Sequence, residues 1–465
     1  MAIVGSNILP LLKTVYLSGV TNNKYQNSPV LHKIKKESWG SGKEIRYAAQ
    51  YGNGGNFGSD YSLLSNNKTS GVENMEWVAT QGYMTGLFEI DQPEILSTAE
   101  ERGAYMKALA NKMAGCFDGM SKTLAMYLYG GKYGVIDQVA PASGTSINVI
   151  AGSNTMPITS AGSLKLDVGS RFVFASAGAA DTALPSSPLL NAVCTVTAID
   201  DTSVTFTSTA AVTVYRGDYI ELYGSRVGGT QATGIEGLAE IIPSYFDRTG
   251  ATWNTYIATP FRDKARNVAV NRLAGQFQKA AGTGNTRLTD ALVSLLKKTK
   301  RAGGLNNVVI INDETWDKVG EELGIQRNLW QATNTGDNKN KFTGGYSDLA
   351  TAFGDAFIGR TVIDPYCTEG LAYMLDTDDL TFYDLGNVSK VVDNVSNDQL
   401  GKPTIEGTGD QGIGDQPNVK INMDKLFTIT EGAKGHYGPA VEIAAHVYGN
   451  YILRKTASAG VAVLK

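Results

Sequence analysis

Residues 97–129 read as one long amphipathic helix, and a helix of that length restricts the folds open to the chain. Ser97-Thr98-Ala99-Glu100 is a capping-box pattern, with Ser97 as N-cap and Glu100 reaching back to it. Glu100 and Glu101 also favour the positive end of the helix dipole. Apolar residues then recur in steps of three or four at Met106, Leu109, Met113, Phe117, Met120, Leu124 and Leu128. Gly130-Gly131 ends the pattern. A continuous helix of about 33 residues would rise roughly 50 Å. Only one face is strongly apolar, so it suits a strut with other elements laid along it. Gly103, Gly115 and Gly119 weaken it internally.

The stretch before the helix cannot stand alone. In residues 41–92, Glu44-Ile45-Arg46-Tyr47-Ala48 and Trp77-Val78-Ala79-Thr80 carry the period-two pattern of strands. Between them lie Tyr51-Gly52-Asn53-Gly54-Gly55-Asn56-Phe57-Gly58 and a polar run to Glu76. The segment is expected to be a long two-stranded excursion with a flexible tip. An isolated hairpin is marginal in water, and its open edges invite pairing with another chain. Residues 1–40 read as an arm of short apolar runs that packs on a neighbouring surface.

After the helix the character changes. Charged residues nearly vanish from 138 to 215, while Ser, Thr, Ala and Val dominate. Val193–Ile199 and Val204–Thr207, joined through Asp200-Asp201, form a hairpin signature. Leu166–Phe174 and Tyr215–Leu222 look like paired strands of a small barrel. Residues 132–230 are therefore read as an all-β insertion, with the parent fold resuming near Gly234. Residues 260–385 are mixed: a helix from Leu288 to Thr299 with Thr286 or Thr289 as cap, a buried strand Asn307–Asn312, a helix from Asp313 to about Leu323, then strands at 361–364, 371–375 and 380–383. Residues 386–465 are mostly strand and loop, closing on a terminal strand at Val461–Leu464.

Composition narrows the function classes. The chain has 465 residues, 42% apolar and only 18% charged, below the usual ~25% charged, which fits a surface partly covered by partners. A net charge of −4 and no strongly basic segment argue against gripping nucleic acid; Lys33, Lys35 and Lys36 are the densest cluster and read as solvated. Cys116, Cys194 and Cys367 are too scattered for a disulfide framework or a CxxC metal site, which suits a reducing compartment. Neither a signal peptide nor an 18-residue apolar span is apparent. Gly407–Gly412 matches GxGxxG but lacks the following helix that holds a pyrophosphate. His32, His436 and His446 have no zinc-site spacing, and no GxSxG elbow is present. Asp376, Asp378, Asp379 and Asp384 lack an EF-hand's Gly and Glu and read as a turn. No catalytic, cofactor or metal residues are assigned.

The order arm, long hairpin, long helix, mixed α/β domain and closing strands resembles the coat proteins of tailed double-stranded DNA bacteriophages. Thr289–Gly304 followed by Asn307–Trp316 is similar to that family's axial-domain helix, strand and turn; Val362-Ile363-Asp364 with Leu371-Ala372-Tyr373, and Val447–Leu464, resemble its later blocks. The resemblance implies an α+β capsid fold carrying the all-β insertion. It divides the chain into an N-terminal arm (1–40), an E-loop (41–92), a peripheral domain with the spine helix (93–131), the insertion (132–230), a second peripheral segment (231–265), an axial domain (266–385) and closing strands (386–465). It further implies a structural protein, not an enzyme. Hexamers and pentamers would form an icosahedral shell around packaged DNA that is not bound sequence-specifically. Portal, scaffolding and decoration proteins would be partners; assembly would take place in the host cytoplasm, with the virion as destination and no membrane involved. Trp39, Arg46, Tyr47, Tyr51, Phe57, Tyr61, Lys68 and Trp77 become candidates for inter-subunit contact, since interfaces favour aromatics and Arg; Trp39 and Trp77 could equally belong to their own core. Some members of the family crosslink Lys to Asn, and Lys68 with Asn394 or Asn397 would be the positions here, though a solvated lysine is the simpler reading. The alternatives are an encapsulin-like nanocompartment shell, which is usually shorter, and an extracellular surface or adhesion protein.

Overall fold

We describe a computed structural model of the chain; it describes residues 28–39, 44–52, 58–66, 72–91, 108–139, 146–176, 192–227, 231–244, 248–280, 287–304, 308–324, 361–384, 420–422 and 440–464. Two compact units result. The larger takes in residues 27–84, 121–418 and 447–465, and the smaller 1–26, 85–120 and 419–446.

The larger unit begins with helix α1 (Pro29–Lys33), capped by Ser28, whose Oγ accepts the Leu31 N–H at 3.3 Å. Pro29 sits at the helix start, where a missing N–H costs nothing. Strand β1 (Lys35–Ser38) follows. Val30, Leu31, Ile34 and Trp39 are buried. This corrects the expected arm: residues 28–39 are built into their own fold, because four apolar side chains and a capped turn find partners there. Residues 1–27 lie outside the described residues.

Strands β2 (Glu44–Gly52) and β3 (Glu73–Thr80) pair antiparallel, with the short helix α2 (Tyr61–Asn66) between them. Asp60 Oδ1 starts α2 by accepting the Ser62 and Leu63 N–H groups. A helical turn thus stands where only a flexible polar tip was expected. Strand β4 (Gly82–Asp91) leaves the pair, so the excursion ends at Thr80 and not at 92. Helix α3 spans Ala108–Gly130; the expected cap at Ser97 lies outside the described residues. Its end is as expected, with a 3-10 turn over Gly131–Tyr133 and left-handed Gly131 and Gly134 at φ 64° and 62°.

The region after α3 holds β5 (Val135–Gln138), β6 (Ser146–Val149), β7 (Gly152–Pro157), helix α4 (Ser160–Lys165), β8 (Arg171–Ala175), β9 (Cys194–Ile199), β10 (Ser203–Ser208), β11 (Val212–Tyr215), β12 (Tyr219–Leu222), β13 (Arg226–Val227) and β14 (Gln231–Ala232). Strands β5-β12-β8-β9-β10-β7 form one sheet, while β6 pairs with β11. The expected pairings of β9 with β10 and of β8 with β12 are present. Two corrections follow. The region is not all-β, because Thr159 caps α4 through Gly162 N–H at 3.0 Å and is itself held by the Asp137 carboxylate at 2.7 and 2.8 Å. Nor is it a closed barrel: the sheet runs from edge β5 to edge β7 among the described residues. Phe172, Phe174 and Phe206 meet edge-to-face at 5.1–6.2 Å in its core, joined by Met126 of α3. Lys122 of α3 adds an ion pair to Asp167 at 2.9 Å.

The mixed region comprises α5 (Leu238–Ile241), α6 (Gly250–Ala258), α7 (Val270–Leu273), β15 (Gln276–Lys279), α8 (Leu288–Arg301), β16 (Val308–Ile311), α9 (Asp313–Gly324), β17 (Thr361–Ile363), β18 (Leu371–Leu375) and β19 (Leu380–Asp384); β20 (Lys420–Asn422), β21 (Ala440–Leu453) and β22 (Gly460–Val463) close the chain. The sheet order is β15-β22-β18-β16-β17, so the terminal strand is tucked inside it as expected. Leu292, Leu295 and Leu296 of α8 pack on Val309, Ile311 and Met374. Thr289 lies inside α8 and does not cap it; Thr286 lies outside the described residues. The Glu322 carboxylate of α9 instead accepts the Leu288 and Thr289 N–H groups at 3.0 and 3.1 Å. Glu322→Ala should therefore lower unfolding stability by about 1 kcal/mol, read from denaturant melts; Thr289→Val, which removes no cap, should cost less. Asp364 is wholly buried and takes Ser28 Oγ at 2.5 Å, Tyr129 Oη at 2.8 Å and Tyr366 N–H at 3.0 Å, joining α1 and α3 to the end of β17. Burial pushes its carboxyl above the usual range despite these donors. Parallel pairing of β1 with β19 and antiparallel pairing of β19 with β21 form a further sheet.

In the smaller unit, Lys420–Asn422 pairs antiparallel with Ala444–His446. A Cβ on Gly86 would stand 2.9 Å from Cys116 Sγ and from Met120 Sδ, so these two helix side chains pack directly on the strand there.

Candidate assembly ribbon

Strands β2 and β3 make a two-stranded ribbon with no third strand among the described residues. Its register runs from Glu44↔Thr80 at the root to Gly52↔Glu73 near the tip. No residue of β2 is fully buried, and on β3 only Trp77, Val78 and Ala79 are. Burial thus fades along the ribbon, leaving main-chain donors and acceptors on its outer edges.

Arg262 is the centre of the contacts that hold the root. Phe261 and Lys264 bridge each other across a two-residue turn whose central residues, Arg262 and Asp263, both have left-handed backbones at φ 48° and 67°. The turn points Arg262 into the root. Its guanidinium donates to Glu236 Oε2 at 2.8 Å, Tyr47 Oη at 2.6 Å and the Tyr451 carbonyl at 2.6 Å. Burial opposes its charge, but Tyr47 and Glu236 more than offset that and hold its pKa above the ordinary value. The Arg262 carbonyl accepts the Val78 N–H at 3.3 Å, and Trp77 meets Phe261 edge-on at 5.7 Å. Nearer the tip Arg272 donates to the Tyr51 carbonyl, while at the root Asn450 Nδ2 donates to the Thr80 carbonyl at 3.0 Å. Trp39, Ala79 and Ile452 form a small core here, with Ile45, Tyr47 and Tyr383 against it.

The sequence candidates separate accordingly. Trp39 and Trp77 are buried within their own chain, and Tyr47 is committed to Arg262. Arg46 stays on the surface at 59% exposure between Glu44 and Glu76, and Tyr51 hydrogen-bonds Glu73 at 3.0 Å. Phe57, Lys68 and the side chain of Tyr61 lie outside the described residues, as do Asn394, Asn397 and Gly407–Gly412. Arg262, Glu236 and Asn450 were not foreseen. Asp376 and Asp379 form the expected turn, with Asp379 paired to Lys455 at 3.1 Å. No group of His, Cys, Asp or Glu suited to a metal occurs among the described residues, and no described helix is long and apolar enough to cross a membrane.

No family model matches the sequence, and no curated protein matches it significantly. Solved structures do. The capsid asymmetric unit of cyanophage A-1(L) is similar at 13% identity over 99% of each chain, with a TM-score of 0.55. A structure from Mycobacterium phage Adephagia matches at 9% identity, over 100% of this chain and 98% of that one, with a TM-score of 0.45. The capsid of Myoviridae phage XM1 matches at 7%, over 99% and 98%, with a TM-score of 0.42. The first of these shows the fold: the chain is α+β and shares the fold of the cyanophage A-1(L) capsid structure.

Proposed function

We propose that this chain is the major capsid protein of a tailed double-stranded DNA phage. Its work is structural: subunits form hexamers and pentamers that close into an icosahedral shell around packaged DNA. The ribbon carries this reading. It has open edges, little burial of its own and a rigid buried root, which suits an element extended over a neighbouring subunit. The low charge of the chain and its modest net charge of −4 suit a shell that encloses DNA without gripping it. Portal, scaffolding and decoration proteins are the expected partners, with assembly in the host cytoplasm and the virion as destination. Residues 132–230 are then an insertion that adds a six-stranded sheet and the β6–β11 pair to the coat subunit. Negative-stain microscopy of the overexpressed protein should reveal hexamers, sheets or closed shells; a monodisperse monomer at high concentration would contradict the proposal.

A further inference from the structure

Helices α8 and α9 of the mixed region carry opposite charges on separate faces. On α8, Lys297 and Arg301 are exposed one turn apart, with exposed Lys298 beside them. On α9, Glu314, Asp317 and Glu321 are exposed at steps of three and four, so they share one stripe, and exposed Asp313 precedes them. The topology holds the two faces apart. Strands β15, β22, β16 and β17 run one way, and β18 opposes them. Helix α8 carries the chain from the finishing end of β15 to the starting end of β16. Its basic last turn therefore lies at the starting end, on the β15 edge of the sheet, where Lys298 Nζ donates to the Phe277 carbonyl at 2.8 Å. Helix α9 leaves the finishing end of β16. It is held there by the Lys318–Glu369 pair at 2.5 Å and by the Gly370 N–H, which donates to Thr315 Oγ1 at 2.8 Å. Arg287 and Asp290, both exposed in the first turn of α8, offset each other. The 14 residues of α8 put roughly 20 Å between its ends. Exposed charges attract over only about 10 Å in 0.1 M salt.

Neither set finds its counter-charge within the subunit. Among the described residues, Lys297, Lys298, Arg301, Asp313, Glu314, Asp317 and Glu321 form no ion pair. The basic side is also crowded. Behind Lys298 stands Arg248, stacked on the Trp253 and Phe277 rings at 5.2 and 5.1 Å. Its Nη atoms donate to the Gly275 and Ala274 carbonyls, and its buried Nε has no partner. Burial and the nearby Arg266 push Arg248 down to about 9, and burial with Arg248 holds the Lys298 ammonium below its usual range. We infer that the two faces are halves of one head-to-tail contact, in which the α9 stripe of one copy docks on the basic end of α8 in the next. This rests on the capsid reading and names the surface by which its rings would close. A contact between two different faces of one chain generates a ring when its rotation closes. The signs also fix direction, because two basic or two acidic faces repel.

Charge exchange in the full chain tests this, with assembly followed by sedimentation and microscopy. One variant carries Lys297→Glu and Arg301→Glu, and a second carries Asp317→Lys and Glu321→Lys. All four side chains are exposed, so both variants should melt within a few degrees of the parent. Each alone should need a roughly tenfold higher concentration to assemble. A chain with all four substitutions has its charges exchanged and should assemble as the parent does. An equal mixture of the two double variants should also assemble, but only in alternation. Alternation closes rings of even number, so hexamers and sheets should form while pentamers and closed shells do not. Double variants that assemble like the parent would overturn the inference and leave the capsid reading intact. So would a folded fourfold variant that fails to assemble. A parent chain that stays monomeric would overturn the capsid reading, and this inference with it.

Discussion

A chain in which residues 53–72 are replaced by Asn-Gly should fold normally and fail to close into shells. Gly52 and Glu73 face each other in register, so a two-residue loop can join them without disturbing either strand. None of the described side chains of the excised segment, residues 58–60, 62–64 and Val72, is buried. The root contacts all lie outside it, at Trp77–Ala79, Tyr47 and Arg262. The melting temperature should therefore stay within a few degrees, while sedimentation and microscopy show the loss of closed particles. Shells that still close would remove the ribbon from the assembly mechanism. A variant that unfolds would show instead that the ribbon belongs to the subunit's own stability.

Much of this architecture was legible from periodicity. Val308–Ile311, Leu371–Leu375 and Val204–Phe206 announce themselves because a buried strand must be apolar along its length or at every second residue. The end of α3 was legible because Gly130-Gly131 leaves a helix few ways to continue. What failed to show were features made by distant partners. Glu322 caps a helix 34 residues upstream, and no local pattern at Thr286 or Thr289 reveals that. Residues 28–39 resemble an arm because they bury little within themselves, yet strand β1 completes a sheet with residues 381–384. The ribbon's aromatics suit either a neighbour's surface or the subunit's own core, and aromatic content alone does not distinguish the two; Trp39 and Trp77 lie in the core. Arg262 was the least visible. Arg-Asp is not a turn signature, and only the fold forces both residues into left-handed backbones.

Arg262 should also be the most costly single side chain to remove. Its guanidinium is almost wholly buried and satisfies Glu236, Tyr47 and the Tyr451 carbonyl together. Truncation to alanine leaves the Glu236 carboxylate, 15% exposed, with Asn450 as a neutral partner and no cation. Breaking a buried ion pair from one side typically costs about 3–5 kcal/mol, and that is the expected loss in unfolding free energy. Removing both charges with Arg262→Ala and Glu236→Gln should recover part of it, because no unpaired charge remains; a double variant as unstable as the sum of the singles would mean the two groups act independently. The backbone gives a further discriminant. Position 262 sits at φ 48°, where a side chain is strained by about 1–2 kcal/mol and glycine is not. Arg262→Gly should therefore be about 1 kcal/mol more stable than Arg262→Ala. Arg262→Lys should lie near alanine, since one ammonium cannot reproduce three divergent donations. If lysine restored full stability, the root would depend on charge alone and the geometric account of the ribbon's anchor would fail.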